Sequence, residues 1–233
     1  MEFKSFGSGS SGNMYTVTDG STKIMIEAGI NIKNIKKALD FKVSEVSGLL
    51  LSHSHGDHSK SVKDLVKLGV DCYMPYSTAD TLNIDHHRIK RIKHRTTFKV
   101  GSLTILAFNV QHDVEAFGYL IQNQVGGRLV FITDSYYCKY RFKNLTHIAI
   151  EANYSMKILE EKIANGSLPE VMKTRLMRSH FSLENVKDFL KANDLSKVEE
   201  IWLLHLSDTN SDAEQFKREI AEQTGKMIYV PSK

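Results

Sequence analysis

The sequence predicts an α/β fold (α+β in some schemes) arranged as a four-layer αββα sandwich, and three features of the chain predict it. Short segments of alternating apolar and polar residues crowd the first half, the pattern of strands with one face buried. Several continuous apolar runs end on or next to a histidine or an aspartate. The last third carries helical spacing between its strands, which gathers the sheets inside and leaves the helices outside. At 233 residues the chain can bury a sizeable core, and residues 1–233 are read as a single domain.

The elements follow in order. Two strands, Glu2 to Phe6 and Met14 to Thr18, flank the glycine-serine stretch Gly7 to Gly12. Lys23 to Ala28 is a third strand, Ile32 to Leu39 a helix, and Gly48 to Leu51 an apolar strand that delivers the chain to Ser52 and His53. Val62 to Leu68 and Ser77 to Leu82 have helical spacing, with a short strand at Asp71 to Tyr73 between them. Arg88 to Val110 reads as several strands broken at Gly101. Phe117 to Gln122 and Leu129 to Thr133 read as a hairpin around Gly126 and Gly127, and His147 to Ile150 as one more strand. Helices are expected at Met156 to Ile163, Pro169 to Met177 and Leu183 to Lys191. The strand Ile201 to Leu204 runs into His205, and Asp212 to Thr224 with Met227 to Val230 close the chain.

Composition bounds the function. Lys and Arg number 31 against 27 for Asp and Glu, a balance of only +4, which is a mild bias towards anionic ligands rather than the footprint of a DNA-coating protein. No apolar run approaches the roughly 20 residues that cross a bilayer, and the start MEFKSFGSGSSGN lacks a secretory pattern. A cytoplasmic protein with no membrane partner is expected. Cys72 and Cys138 stand far apart, a spacing that fits buried reduced thiols and neither a zinc finger nor a disulfide framework. The basic run Arg88, Lys90, Arg91, Lys93, Arg95 and Lys99 could contact phosphates. Its alternation with Ile89 and Ile92 fits better the solvated face of an edge strand, where cations discourage aggregation.

The chemistry concentrates at His53-Ser54-His55-Gly56-Asp57-His58, an H-x-H-x-D-H motif directly after an apolar strand. Four potential ligands share one short loop, and imidazole with carboxylate suits zinc, manganese or iron. Gly56 is read as the residue that turns this loop sharply, so that His53 and His55 point one way and Asp57 and His58 another.

This motif resembles the signature of the metallo-β-lactamase superfamily, and later residues extend the resemblance: His112, Asp134 and His205 each follow a strand. The resemblance implies two divalent metal ions, zinc first, with manganese or iron suiting the same ligands. By it His53, His55 and His112 hold one ion, Asp57, His58 and His205 the other, and Asp134 bridges them. Such a pair lowers the pKa of a shared water and presents it as hydroxide, so hydrolysis by a bridging hydroxide is expected, with Asp57 counted among the catalytic residues. The superfamily's usual Asp before a small residue and Gly is replaced here by Glu27, ahead of Ala28 and Gly29. Glu27 is expected to buttress the ligand loop without binding metal.

Within the superfamily, Gly7 to Asn13, Glu151-Ala152-Asn153 and Ser179-His180-Phe181-Ser182-Leu183-Glu184 resemble the WalJ/YycJ group and its small phage-encoded relatives, nucleotide and nucleic-acid phosphodiesterases. A lactamase reading is disfavoured by Asp134 and by the missing secretory signal. Enzymes resembling RNase Z use an extra histidine to protonate the leaving oxygen, which assigns that role to His180, with Glu184 keeping it charged. The plainer alternative makes this segment a helix start, capped by Ser182. Ser8, Ser10, Ser11 and Asn13, together with Asn153, are candidates for lining the substrate site. The chain lacks the large insertions of β-CASP exonucleases and RNase Z, which favours a small nucleotide. The resemblance to anti-Pycsar phosphodiesterases implies a homodimer acting on 3′,5′-cyclic nucleotides of the cCMP and cUMP type. A WalJ-like 5′-3′ exonuclease on single strands is the alternative enzyme, and an inactive nucleotide- or nucleic-acid-binding protein the alternative from another class.

Overall fold

A computed structural model describes residues 1–231, which pack as two compact units. The first comprises Met1–Asn109 with Val114–Arg128, the second Val110–Asp113 with Leu129–Pro231. The fold is mixed α/β, and the strands fall into two sheets.

In the first unit, six strands lie side by side in chain order: β1 (Glu2–Gly7), β2 (Met14–Thr18), β3 (Lys23–Ile26), β4 (Val46–Leu50), β5 (Cys72–Pro75) and β6 (Ile89–Ile92). The first three run antiparallel and the rest parallel. The parallel connections are made by α1 (Ile32–Ala38), by α2 (Gly56–Ser59) with α3 (Val62–Lys67), and by α4 (Tyr76–Leu82). Asn31 starts α1 by accepting from Asn34 N at 2.9 Å, satisfying a donor that a helix end leaves unpaired. Ile35, Val62, Leu65 and Val66 from the helices form one core with Met25, Leu49, Cys72 and Met74 of the strands. Each such side chain contributes about 1.5–3 kcal/mol by leaving water. β6 is an edge, as its charges predict: Arg91 pairs with Asp80 at 2.5 Å, and the preceding Arg88 with Asp71 at 2.9 Å. The unit also holds β7 (Thr97–Val100), antiparallel to β8 (Leu103–Val110), and β9 (Ala116–Gln122).

Two expectations need correction here. β3 stops at Ile26 rather than Ala28, because Glu27 turns into left-handed backbone at φ 63°. The ligand segment is not all loop, since Gly56–Ser59 forms one helical turn. Gly56 opens that turn without positive φ, and a Cβ there would meet open space. Its lack of a side chain is therefore not what shapes the segment.

In the second unit β10 (Arg128–Ile132), β11 (His147–Glu151), β12 (Glu200–Leu204) and β13 (Met227–Tyr229) run parallel, with Val130 opposite Ile148 and Ala149 opposite Trp202. Buried strands of this kind read as continuous apolar runs, and β11 is buried throughout. Helices α5 (Met156–Ala164), α6 (Glu170–Ser179) and α7 (Leu183–Lys191) connect β11 to β12, and α8 (Ala213–Thr224) connects β12 to β13. Ser182 caps α7 by accepting from Asn185 N at 3.1 Å, and Leu183, Val186, Phe189 and Leu190 bury one face of it. Cys72 and Cys138 are both buried free thiols. Burial pushes them up to about 12 and about 11, which keeps them in the unreactive thiol form.

Candidate metal centre

The first unit concentrates its imidazoles at the end of β4. His53 Nε2 lies 3.1 Å from His55 Nδ1, and the ring of His58 lies 4.3 Å from that of His53. His53 and His58 are fully buried. Ser52 Oγ contacts His53 Nδ1 at 2.7 Å, which directs Nε2 towards the cluster.

The segment is held against the chain that follows β3. Ala28 N donates to His58 O at 2.7 Å, and Ser61 N to Ala28 O at 2.9 Å. Gly29 makes this docking possible, because a Cβ on it would sit 1.6 Å from Asp57 O. Glu27 is fully buried; one carboxylate oxygen lies 3.4 Å from His58 Nδ1 and the other accepts from Ser52 N at 3.3 Å. Asn13, also fully buried, donates from Nδ2 to Asp57 O at 3.2 Å, approaches His58 Nε2 at 3.1 Å, and accepts from Gly9 N at 3.0 Å. Asn13, expected at the substrate site, has no exposed surface and bonds to the ligand segment. Ser10 and Ser11 are exposed at the turn, while Ser8 is buried and bonded to Tyr15.

The second unit gathers its donors around one carboxylate. Glu151, at the end of β11 and fully buried, accepts on Oε1 from His180 Nδ1 at 2.6 Å and His205 Nδ1 at 3.0 Å. Its Oε2 accepts from Ser135 N at 3.0 Å and Phe181 N at 3.2 Å. A carboxylate only accepts, so both rings carry a proton on Nδ1 and turn Nε2 away from Glu151. His205 Nδ1 also lies 3.1 Å from Asp134 Oδ1. His112 Nδ1 donates to Ser179 O at 3.0 Å, and its Nε2 lies 3.7 Å from Asp134 Oδ2. One donor atom from each of Asp134, Glu151, His180 and His205 lies within 4.8 Å of the others. Of these, Asp134 and His205 offer the carboxylate oxygen and imidazole nitrogen that suit a divalent cation of the zinc, manganese or iron type, whereas His180 and Glu151 are bonded to each other.

Electrostatics follow the geometry. Burial disfavours the charged His180 ring, but the charge and hydrogen bond of Glu151 outweigh it, so the pKa is raised above the ordinary value. Burial would push Glu151 up, yet the charge of His180 and the bonds from both histidines carry it below the usual carboxylate range. Burial lowers His112 despite the nearby carboxylates.

The carboxylate beside His180 is thus Glu151, and the expected role of Glu184 is corrected. Glu184 instead accepts from Met156 N at 3.2 Å and Ser155 Oγ at 3.3 Å, capping α5. Asn153, expected at the substrate site, donates from Nδ2 to His205 O at 2.9 Å, and its carbonyl accepts from Ser207 N at 2.9 Å. It braces the turn that carries His205. Glu151 entered the sequence reading only within the segment Glu151-Ala152-Asn153 that carries the family resemblance, without a role of its own. Glu27, Asp134 and His205 all sit in left-handed backbone just past a strand, at φ 63°, 42° and 53°.

Residues 22–158 match the family described as Beta-lactamase superfamily domain. The chain is 27% identical to the exodeoxyribonuclease YycJ of Bacillus anthracis, over 95% of this chain and 88% of that one. It is also 27% identical to the exodeoxyribonuclease WalJ of Streptococcus pneumoniae, over 88% of this chain and 81% of that one. Among solved structures, the metallo-β-lactamase fold protein YhfI from Bacillus subtilis superposes with a TM-score of 0.77 at 13% identity, covering 99% and 95% of the two chains. The chain therefore belongs to the beta-lactamase superfamily domain family and is a metal-dependent hydrolase of metallo-β-lactamase fold.

Proposed function

We propose that His53, His55 and His112 hold one divalent ion, that Asp57, His58 and His205 hold a second, that Asp134 bridges the two, and that the enzyme hydrolyses phosphodiesters of single-stranded DNA from its 5′ end. A pair of such ions supplies a hydroxide nucleophile at neutral pH and neutralises charge on a phosphoryl group. The observation that carries the phosphodiester reading is the short contact between His180 Nδ1 and Glu151 Oε1. A departing alkoxide needs a proton, and His180, kept charged by Glu151, donates it from Nε2. Glu151 fixes the orientation of His180 and His205 together. The strand reading is supported by the two exodeoxyribonuclease relatives, which align over most of their length.

A second reading takes 3′,5′-cyclic nucleotides of the cCMP and cUMP type, with the enzyme acting as a homodimer. It is favoured by the economy of the chain between Asp134 and His205, which holds only β11, α5, α6, α7 and β12. Metal-loaded protein incubated separately with 5′-phosphorylated single strands and with cyclic mononucleotides distinguishes the two. Shortening of strands from the 5′ end is expected; turnover of cyclic nucleotides alone would transfer the assignment to the second reading.

A further inference from the structure

Parallel strands β10 and β11 are joined by residues 133–146 with no helix. Such neighbours usually need a helical crossover, and an irregular connection of this length in a packed unit is usually functional. Its centre reads Tyr136-Tyr137-Cys138-Lys139-Tyr140-Arg141-Phe142-Lys143, aromatic and cationic residues interleaved with no acid. Both ends are tied down. Tyr136 N donates to Gln111 O at 3.0 Å, and Tyr136 O accepts from Asn185 Nδ2 at 3.1 Å. Phe142 N donates to Asn193 Oδ1 at 2.7 Å, and its ring lies 6.3 Å from that of Phe189. Between the ties, Tyr137, Lys139, Tyr140 and Arg141 form one wall of a cavity of about 290 Å³, closed by Phe181, Phe189 and Asp188.

We propose that this cavity seats one unpaired nucleotide of the DNA strand, with the base against the tyrosines and a backbone phosphate on Arg141 and Lys139. The volume lies at the lower end of small-molecule sites, about 300 to 1,000 Å³, so it suits one base and sugar rather than a length of strand. Base–aromatic stacking beside cations that track the backbone is how single strands are gripped without sequence readout. Tyr137 leaves 56% of its surface exposed, although an aromatic ring gains by burial. Two cations, Lys139 and Arg141, and one carboxylate, Asp188, line the cavity, so its charge favours an anion. The cavity also adjoins the reacting groups along the chain: Tyr137 follows Asp134 by three residues, a reach of at most about 11 Å, and Phe181 is the neighbour of His180. Because the ties fix the loop beforehand, little ordering cost falls on binding.

The inference rests on the strand reading above, and the test separates the two. Metal-loaded protein is titrated by fluorescence anisotropy with a phosphorothioate-linked, 5′-phosphorylated oligothymidylate. Tyr137→Ala should weaken binding roughly 5- to 150-fold, the range of one lost stacking contact, while Tyr137→Phe retains it. Arg141→Gln should reduce the salt slope of log Kd by about 0.7, one phosphate contact on a single strand. Hydrolysis of bis(p-nitrophenyl) phosphate, too short to reach the cavity, should stay at the wild-type rate in both. Unchanged strand affinity in Tyr137→Ala and Arg141→Gln overturns the seat, and so does an equal loss on the short substrate. If strands are shortened normally by Tyr137→Ala with undiminished affinity, the seat falls and the exonuclease reading stands. If the wild type binds oligothymidylate through Tyr137 but cleaves no strand, the seat stands and that reading falls.

Discussion

The two donor clusters are built on different principles. His53, His55, Asp57 and His58 come from one short segment held by backbone bonds to Ala28 and by the Asn13 amide. His112, Asp134, His180 and His205 come from stretches far apart in sequence, and the buried charge of Glu151 ties two of them to one oxygen. The contiguous cluster also has a buried carboxylate, Glu27, beside His58 and Ser52, but the chain itself already limits how far its members drift. A dispersed cluster needs a stronger organiser, and an ionised carboxylate accepting charge-assisted bonds is one.

That contrast can be broken or sharpened by substitution. Asp134→Ala, removing the proposed bridge, should abolish turnover together with metal binding; elemental analysis finding both ions retained at full activity would refute the bridge. His180→Ala should keep the metal and lower kcat by roughly 10² to 10⁴. The wild-type rate should fall on the alkaline side, since an acid with raised pKa is present below that value and is lost as pH rises through it. Glu151→Gln should cost roughly 10- to 100-fold in metal affinity or rate and move the alkaline limb of the kcat profile to lower pH. A limb that stays in place would separate Glu151 from the acid. Asn13→Ala should be the mildest on chemistry, costing about 1–3 kcal/mol of stability through unsatisfied buried groups, read from a urea midpoint.

How far the sequence revealed the site follows the same division. The motif at His53–His58 stands out because its members are neighbours, whereas His112, Asp134 and His205 enter the expected set through the family resemblance, each following a strand. Ser182 was readable as a cap since it directly precedes an amphipathic helix. Glu184 was chosen as the partner of His180 because it is close in sequence, but helix α7 carries it to the start of α5. Glu151 is distant along the chain and arrives through the parallel pairing of β11 with β12, which places it opposite Leu204. Local pattern does not encode such pairing. The burial of Asn13 and Asn153 is likewise set by packing between distant segments, which local pattern does not encode. The basic run was legible as an edge because cations on alternate residues leave no face to cover.

Glu27, Asp134 and His205 adopt a left-handed conformation that costs an ordinary residue about 1–2 kcal/mol and glycine nothing. Under the proposed assignment, glycine at Asp134 or His205 would relieve the strain and remove a metal ligand, and at Glu27 it would remove the buttress of the ligand segment. On that assignment, breeding for heat tolerance alone would favour discarding the ligands first, so any such programme must score turnover alongside melting.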